Sequence, residues 1–156
     1  MNNPLIQIPE QFRASHPILL QKIGKFFLTI TGWKFKGDIP RSDRIILVAG
    51  PHTSNWDFLL ALAFIFGLNL NVFWIGKHTL FKNGFSKIMR KLGGIPVDRA
   101  SPELLMNEVS HIVKKQQGVI IAISPEGTRK KVERLKSGFL RIAKTTNSQI
   151  LLAGID

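Results

Sequence analysis

His52 and Asp57 stand five positions apart in the stretch PHTSNWDF, between two apolar runs. A tight turn calls for small polar residues, not for a histidine. On one continuous helix, five residues set two side chains about 140° apart, on different faces. The pair meets if His52 lies in a turn and Asp57 in the first helical turn. Ser54 and Asn55 are good N-cap residues, so a helix start is expected there. A carboxylate so placed accepts a hydrogen bond from one ring nitrogen and leaves the other as a base. The run Ser54-Asn55-Trp56-Asp57 also fits the capping box, in which Asp57 only caps the helix and His52 is an ordinary loop residue. Both readings stand on these residues alone. A metal pair is disfavoured, because no third histidine or acid lies nearby in sequence. A Ser-His-Asp hydrolase lacks its Gly-x-Ser-x-Gly elbow.

Two more polar clusters carry chemistry. In SPEGTRKK, Gly127 permits a tight turn and Arg129 presents a planar fork suited to phosphate, with Glu126 placed to orient it. In GGIPVDR, Arg99 is a second candidate phosphate ligand. A single arginine is usually just a surface charge. Two arginines beside glycine-containing turns, with a His–acid pair elsewhere, make that ordinary reading less comfortable.

The elements that must position these clusters follow from periodicity. Arg44–Ala49 (RIILVA), Asn71–Ile75 (NVFWI), Ile95–Val97, Val119–Ile123 (VIIAI) and Ile150–Ala153 read as strands. Helices are expected over His16–Thr31, Phe58–Phe66, Gly84–Leu92, Pro102–Gln116 and Glu133–Thr145. Ser101 is the expected N-cap of the fourth helix, and Gly118 follows its end. Strands alternating with helices imply an α/β fold, a largely parallel sheet flanked by helices on both faces. The clusters then fall at the carboxyl ends of strands, where open α/β sheets bind ligands. The chain stops at Asp156, directly after the last strand, as a C-terminally truncated or minimal version of a larger fold would.

Residues 1–40 form an N-terminal amphipathic segment and 41–156 the main domain. In the first helix Leu19, Leu20, Ile23, Phe26, Phe27 and Ile30 make one broad apolar face beside Lys22 and Lys25. That face suits a membrane surface or the helix's own domain. The apolar stretch Phe58–Leu70 is shorter than the roughly 20 residues of a spanning helix and is expected to be buried. The N-terminus, MNNPLIQIPEQF, lacks the basic start and apolar core of a signal peptide.

With 156 residues, 44% of them hydrophobic, the chain can bury a core and is not disordered. The absence of cysteine excludes disulfides, thiolate metal sites and a cysteine nucleophile. Lys and Arg number 22 against 10 Asp and Glu, a net charge of +12. Such an excess draws polyanions: anionic lipid, phosphorylated substrates or nucleic acid. A non-catalytic basic module binding anionic lipid or nucleic acid is therefore the rival to an enzyme. Salt separates them, since charge-driven nucleic-acid binding collapses steeply as salt rises.

The ordered blocks HTSNWD, GGIPVDR and PEGTR resemble the glycerolipid acyltransferases of the lysophosphatidic acid acyltransferase (PlsC-like) family. The first matches that family's His-x4-Asp motif, and the others its second and third blocks. QILLAGID occupies the place of the fourth, without its usual proline. GKHTLF, with Lys77 and Leu80, sits where the family has a Lys-x-x-Leu segment. The resemblance runs from about Ile45 to Ile155. It implies a glycerol-phosphate acyltransferase-like fold and transfer of an acyl chain from acyl-CoA or acyl carrier protein to 1-acyl-sn-glycerol-3-phosphate, giving phosphatidic acid. Glycerol-3-phosphate or another lysolipid is the alternative acceptor. His52 would be the base and Asp57 its partner. Arg99, Arg129 and Lys77 would bind substrate, with Glu126, Gly127 and Thr128 shaping the loop. Transfer is direct, so no cofactor, metal or acyl-enzyme is implied. The expected setting is cytoplasmic, peripheral to the cytoplasmic face of an anionic membrane, with no nucleic-acid partner.

Overall fold

The computed structural model describes residues 7–50, 55–82, 84–98, 100–126 and 135–154. Five strands, β1 (Arg44–Gly50), β2 (Val72–Lys77), β3 (Gly94–Val97), β4 (Val119–Ile123) and β5 (Gln149–Gly154), form one sheet in the order β3-β2-β4-β1-β5. All its strand pairs are parallel. The α/β expectation therefore holds, and the β-branched runs lie where the sequence puts them. Parallel strands buried on two faces need apolar residues on both sides, which is why RIILVA and VIIAI read as continuous runs.

Alternate residues of each strand feed two cores. On the first face, Ile45 of β1, Val72 and Trp74 of β2 and Ile120 of β4 pack with Phe12 and with Ile65 and Phe66 of α2 (Asn55–Gly67). On the second, Ile46 and Val48 of β1, Ile95 of β3 and Val119 and Ile121 of β4 meet α4 (Pro102–Lys115) and α5 (Gly138–Thr146). A short helix α3 (Ser86–Lys91), preceded by a 3-10 turn at His78–Phe81, joins β2 to β3. The Trp74 indole N–H donates to Leu92 O at 2.8 Å, pinning the end of that connection to the sheet.

The first helix, α1 (Ile18–Thr31), starts later than expected: Pro17, at φ −52° and ψ 136°, is its N-cap. The His16 ring is instead bonded to Leu70 O at 2.9 Å. The one broad apolar face divides in two. Gly24 is buried against α2, with Leu20, Phe27 and Leu28 half-buried on the same side, while Leu19, Ile23, Phe26 and Ile30 are exposed. At about 100° per residue the two sectors adjoin through Ile23 and Phe27, and Lys22 and Lys25 lie on the remaining side of the helix.

A further boundary is corrected, and one expected cap keeps its place without its bond. The fifth helix begins at Gly138, not Glu133: the Lys136 N–H donates back to Pro125 O at 2.8 Å, and Ser137 then takes the N-cap position. Ser101 occupies the N-cap of α4 but makes no side-chain cap bond; the preceding turn is held by Asp98 Oδ1, which accepts from the Ala100 N–H at 3.0 Å.

Candidate active site

Between β1 and β4 the chain changes faces. β1 runs on toward α2 on the first face, and β4 runs on toward α5 on the second. Neighbouring strands whose connections part in this way leave a crevice outside their carboxyl ends, the usual ligand site of an open parallel sheet.

Both banks carry predicted residues. Asp57 is half-buried and is the third residue of α2. That is the place a capping acid takes and also the place from which it reaches a histidine in the preceding turn. On the other bank Glu126 is half-buried, after the buried Pro125. A Cβ on Gly50 would lie 3.5 Å from Glu126 Oε1, so this carboxylate sits alongside the last residue of β1. Glu126 also closes the base of the third block, because the chain that leaves there returns to bond Lys136 N–H to Pro125 O.

Lys77 is the exposed last residue of β2, in register with Val97 of β3. It stands at the same end of the sheet, on the strand pair from which Asp98 and Arg99 follow. The predicted His52, Arg99, Gly127, Thr128 and Arg129 lie outside the described residues. The structure thus brings Glu126 to the end of β1 and sets Asp57 and Lys77 at the same carboxyl edge. Gly50 was not singled out from the sequence; its only signal is a residue without a side chain between a strand and the histidine loop.

Among the described residues no group of three or more His, Asp or Glu could hold a metal ion, and no helix is long and apolar enough to cross a membrane.

Five parallel strands, helices on both faces and a switch point between β1 and β4 define a class that residues 33–154 identify further, since they match the acyltransferase family model. The chain belongs to the acyltransferase family and is PlsC-like within it. The crystal structure of the 1-acyl-sn-glycerophosphate (LPA) acyltransferase PlsC from Thermotoga maritima is similar at 28% identity and a TM-score of 0.56, over 86% of this chain and 55% of that one. This chain therefore spans about half the length of that relative. No curated protein sequence matches it.

Proposed function

We propose that the protein moves an acyl chain from acyl-CoA or acyl carrier protein to the free hydroxyl of 1-acyl-sn-glycerol-3-phosphate, giving phosphatidic acid. The observation that carries this is the approach of Glu126 to Gly50, which sets the base of the PEGTR loop beside the strand end that leads into HTSNWD. Family membership and the similarity to an LPA acyltransferase support the same chemistry.

In this reading the acceptor oxygen bonds to the thioester carbonyl carbon while a His52 ring nitrogen takes its proton. The carbon–sulfur bond then breaks, and the departing thiolate receives that proton. Asp57 accepts a hydrogen bond from the other ring nitrogen, fixing the imidazole and stabilising its charged form. Arg99 and Arg129 hold the acceptor phosphate. The test is thioester consumption across a panel of acceptors, with mass spectrometry of the lipid. Phosphatidic acid is the expected product. Release of free fatty acid alone, whatever the acceptor, would overturn the proposal.

Arg129 distinguishes an acyltransferase of this kind from a hydrolase, which needs no acceptor phosphate. A guanidinium fork reads paired phosphate oxygens, and lysine keeps the charge but loses the fork. One hydrogen bond to a charged group is worth about 1.5–3 kcal/mol. Arg129→Lys should therefore raise the acceptor KM by roughly tenfold or more and leave the donor KM nearly unchanged. A change confined to the donor KM would assign Arg129 to the thioester side.

The α1 helix supports a peripheral membrane location. Its exposed stripe, with Leu19 at 69% and Phe26 at 66% exposure, suits the apolar side of a bilayer interface, and Lys22 and Lys25 suit anionic head groups. Burying one such side chain is worth about 1.5–3 kcal/mol. Leu19→Ser with Phe26→Ser should lower partitioning onto anionic vesicles by at least about tenfold. Phe27→Ser, on the half-buried side, should reduce thermal stability and leave vesicle binding much closer to that of the parent. Equal vesicle binding by the double variant and the parent would exclude α1 as the anchor.

A further inference from the structure

We infer that the connection from Lys77 to Lys91 is the docking surface for an acidic carrier protein that brings the acyl thioester; this rests on the acyl transfer proposed above. The connection leaves the carboxyl end of β2, the end that bears the crevice, and returns to β3. Its inward side is fixed. Phe81 stacks on Trp74 with centroids 5.8 Å apart, and Met89 and Leu92 pack against the first core. Arg90 is engaged with Glu108 at 2.9 Å and lies over the Phe81 ring. Phe81, Met89, Arg90 and Leu92 are thus tied to the body of the domain.

The outward side differs in kind from that of α1. Leu80, Phe85 (59%) and Ile88 (52%) are exposed, and Lys82, Lys87 and Lys91 are exposed between and beside them. From Lys77 to Val97 the sequence holds four lysines, one arginine and no acidic residue. Among the described residues, Lys82, Lys87 and Lys91 take part in no ion pair. On α1, by contrast, five exposed apolar side chains, Ile18, Leu19, Ile23, Phe26 and Ile30, accompany only Lys22 and Lys25. An apolar-dominated stripe suits lipid. A charge-dominated patch with a few apolar anchors suits a folded acidic partner, which is steered by the charge and held by the anchors. The connection begins at Lys77, on the crevice end of the sheet, and runs back to Gly94 at the amino end of β3, so a partner seated along it has one side at the end where the thioester must arrive.

The test uses the full chain and a fluorescently labelled acidic acyl carrier protein, with binding read by anisotropy. Steady-state kinetics follow with carrier-linked and CoA-linked donors. Lys82→Glu with Lys87→Glu, and separately Phe85→Ser with Ile88→Ser, are first confirmed as folded by circular dichroism. Reversing two charges should weaken carrier binding, and raise the KM for the carrier-linked donor, by about tenfold or more. The KM for acyl-CoA and binding to anionic vesicles should stay as in the parent. Unchanged carrier binding in both variants overturns the inference. So does an equal loss with acyl-CoA, which would make the patch a CoA phosphate site, and so does a loss of vesicle binding alone, which would make it a bilayer contact. A parent protein that transfers from acyl-CoA but does not bind the carrier overturns the docking surface and leaves the proposed function standing. Carrier binding without transfer from either donor does the reverse.

Discussion

Replacing His52 with alanine is expected to lower acyl transfer by about 10²–10⁴-fold, the usual contribution of a positioned general base. The circular-dichroism spectrum should stay that of the parent, because a general base acts on the substrate and its loss removes a proton acceptor from the reaction. Asp57 decides what the pair does. As the partner of the imidazole, its replacement by alanine should lower turnover by orders of magnitude as well. As a helix cap alone, its loss should cost about 1 kcal/mol of stability and leave turnover near normal. The double variant adds a check. Residues acting as one catalytic unit lose little more together than singly, whereas independent residues multiply their effects. The measurement is kcat on folded proteins with both substrates saturating. Near-normal turnover in folded His52→Ala would falsify the proposed chemistry.

The second large effect is expected at Gly24. A Cβ there would lie 2.6 Å from Gly67 N and 2.7 Å from Ala63 O, both backbone atoms of α2. From the other side, a Cβ on Gly67 would lie 3.1 Å from Gly24 C. The helices cross with their backbones nearly touching, so no side chain can turn away to make room. Gly24→Ala must push α1 off α2, and overpacking of this kind costs about 1–3 kcal/mol. Alanine recovers up to about 1 kcal/mol through helix propensity, which sets the clash against a gain. The expected net result is a lower Tm together with faster proteolysis of α1. Gly32→Ala is not a matched control, since Gly32 has φ 71° and is strained for any side chain. Lys25→Ala, on the exposed side of the same helix, serves that purpose and should leave Tm nearly unchanged. A Gly24→Ala protein as stable as the Lys25→Ala one would mean that the two helices separate at little cost.

The sequence alone reveals much of this fold because parallel strands buried on both faces announce themselves as short β-branched runs. Arg44–Gly50 and Val119–Ile123 are legible for that reason. Strand order is not legible. Nothing local in VIIAI says that β4 inserts between β1 and β2, because partner choice is settled by crossover helices and long-range packing. The two faces of α1 are likewise hidden. Phe26 and Phe27 are adjacent and chemically identical, and only the position of α2 decides which of them is left in solvent. In the site, the place of Asp57 in the first turn of α2 follows from the capping pattern around Ser54. The approach of Glu126 to Gly50 joins residues far apart in the chain and depends on the parallel pairing of β1 with β4. The start of α5 differs from the expected Glu133 for a related reason. The helical pattern continues upstream of Gly138, but the bond from Lys136 N–H to Pro125 O holds the chain out of a helix there.

The change of faces between β1 and β4 also bears on how such an enzyme can evolve. The bank that leads into HTSNWD is braced by α2, whose Ile65 and Phe66 belong to one core. The bank that carries PEGTR is braced by α5, whose Ile142 and Ala143 belong to the other. Under the proposed function, selection could therefore repack the second core and re-aim the proposed phosphate-holding arm while the proposed base keeps its setting. It can equally adjust the first core without disturbing acceptor recognition. On that proposal, chemistry and substrate choice would be separately heritable traits, joined only through the sheet that both cores share.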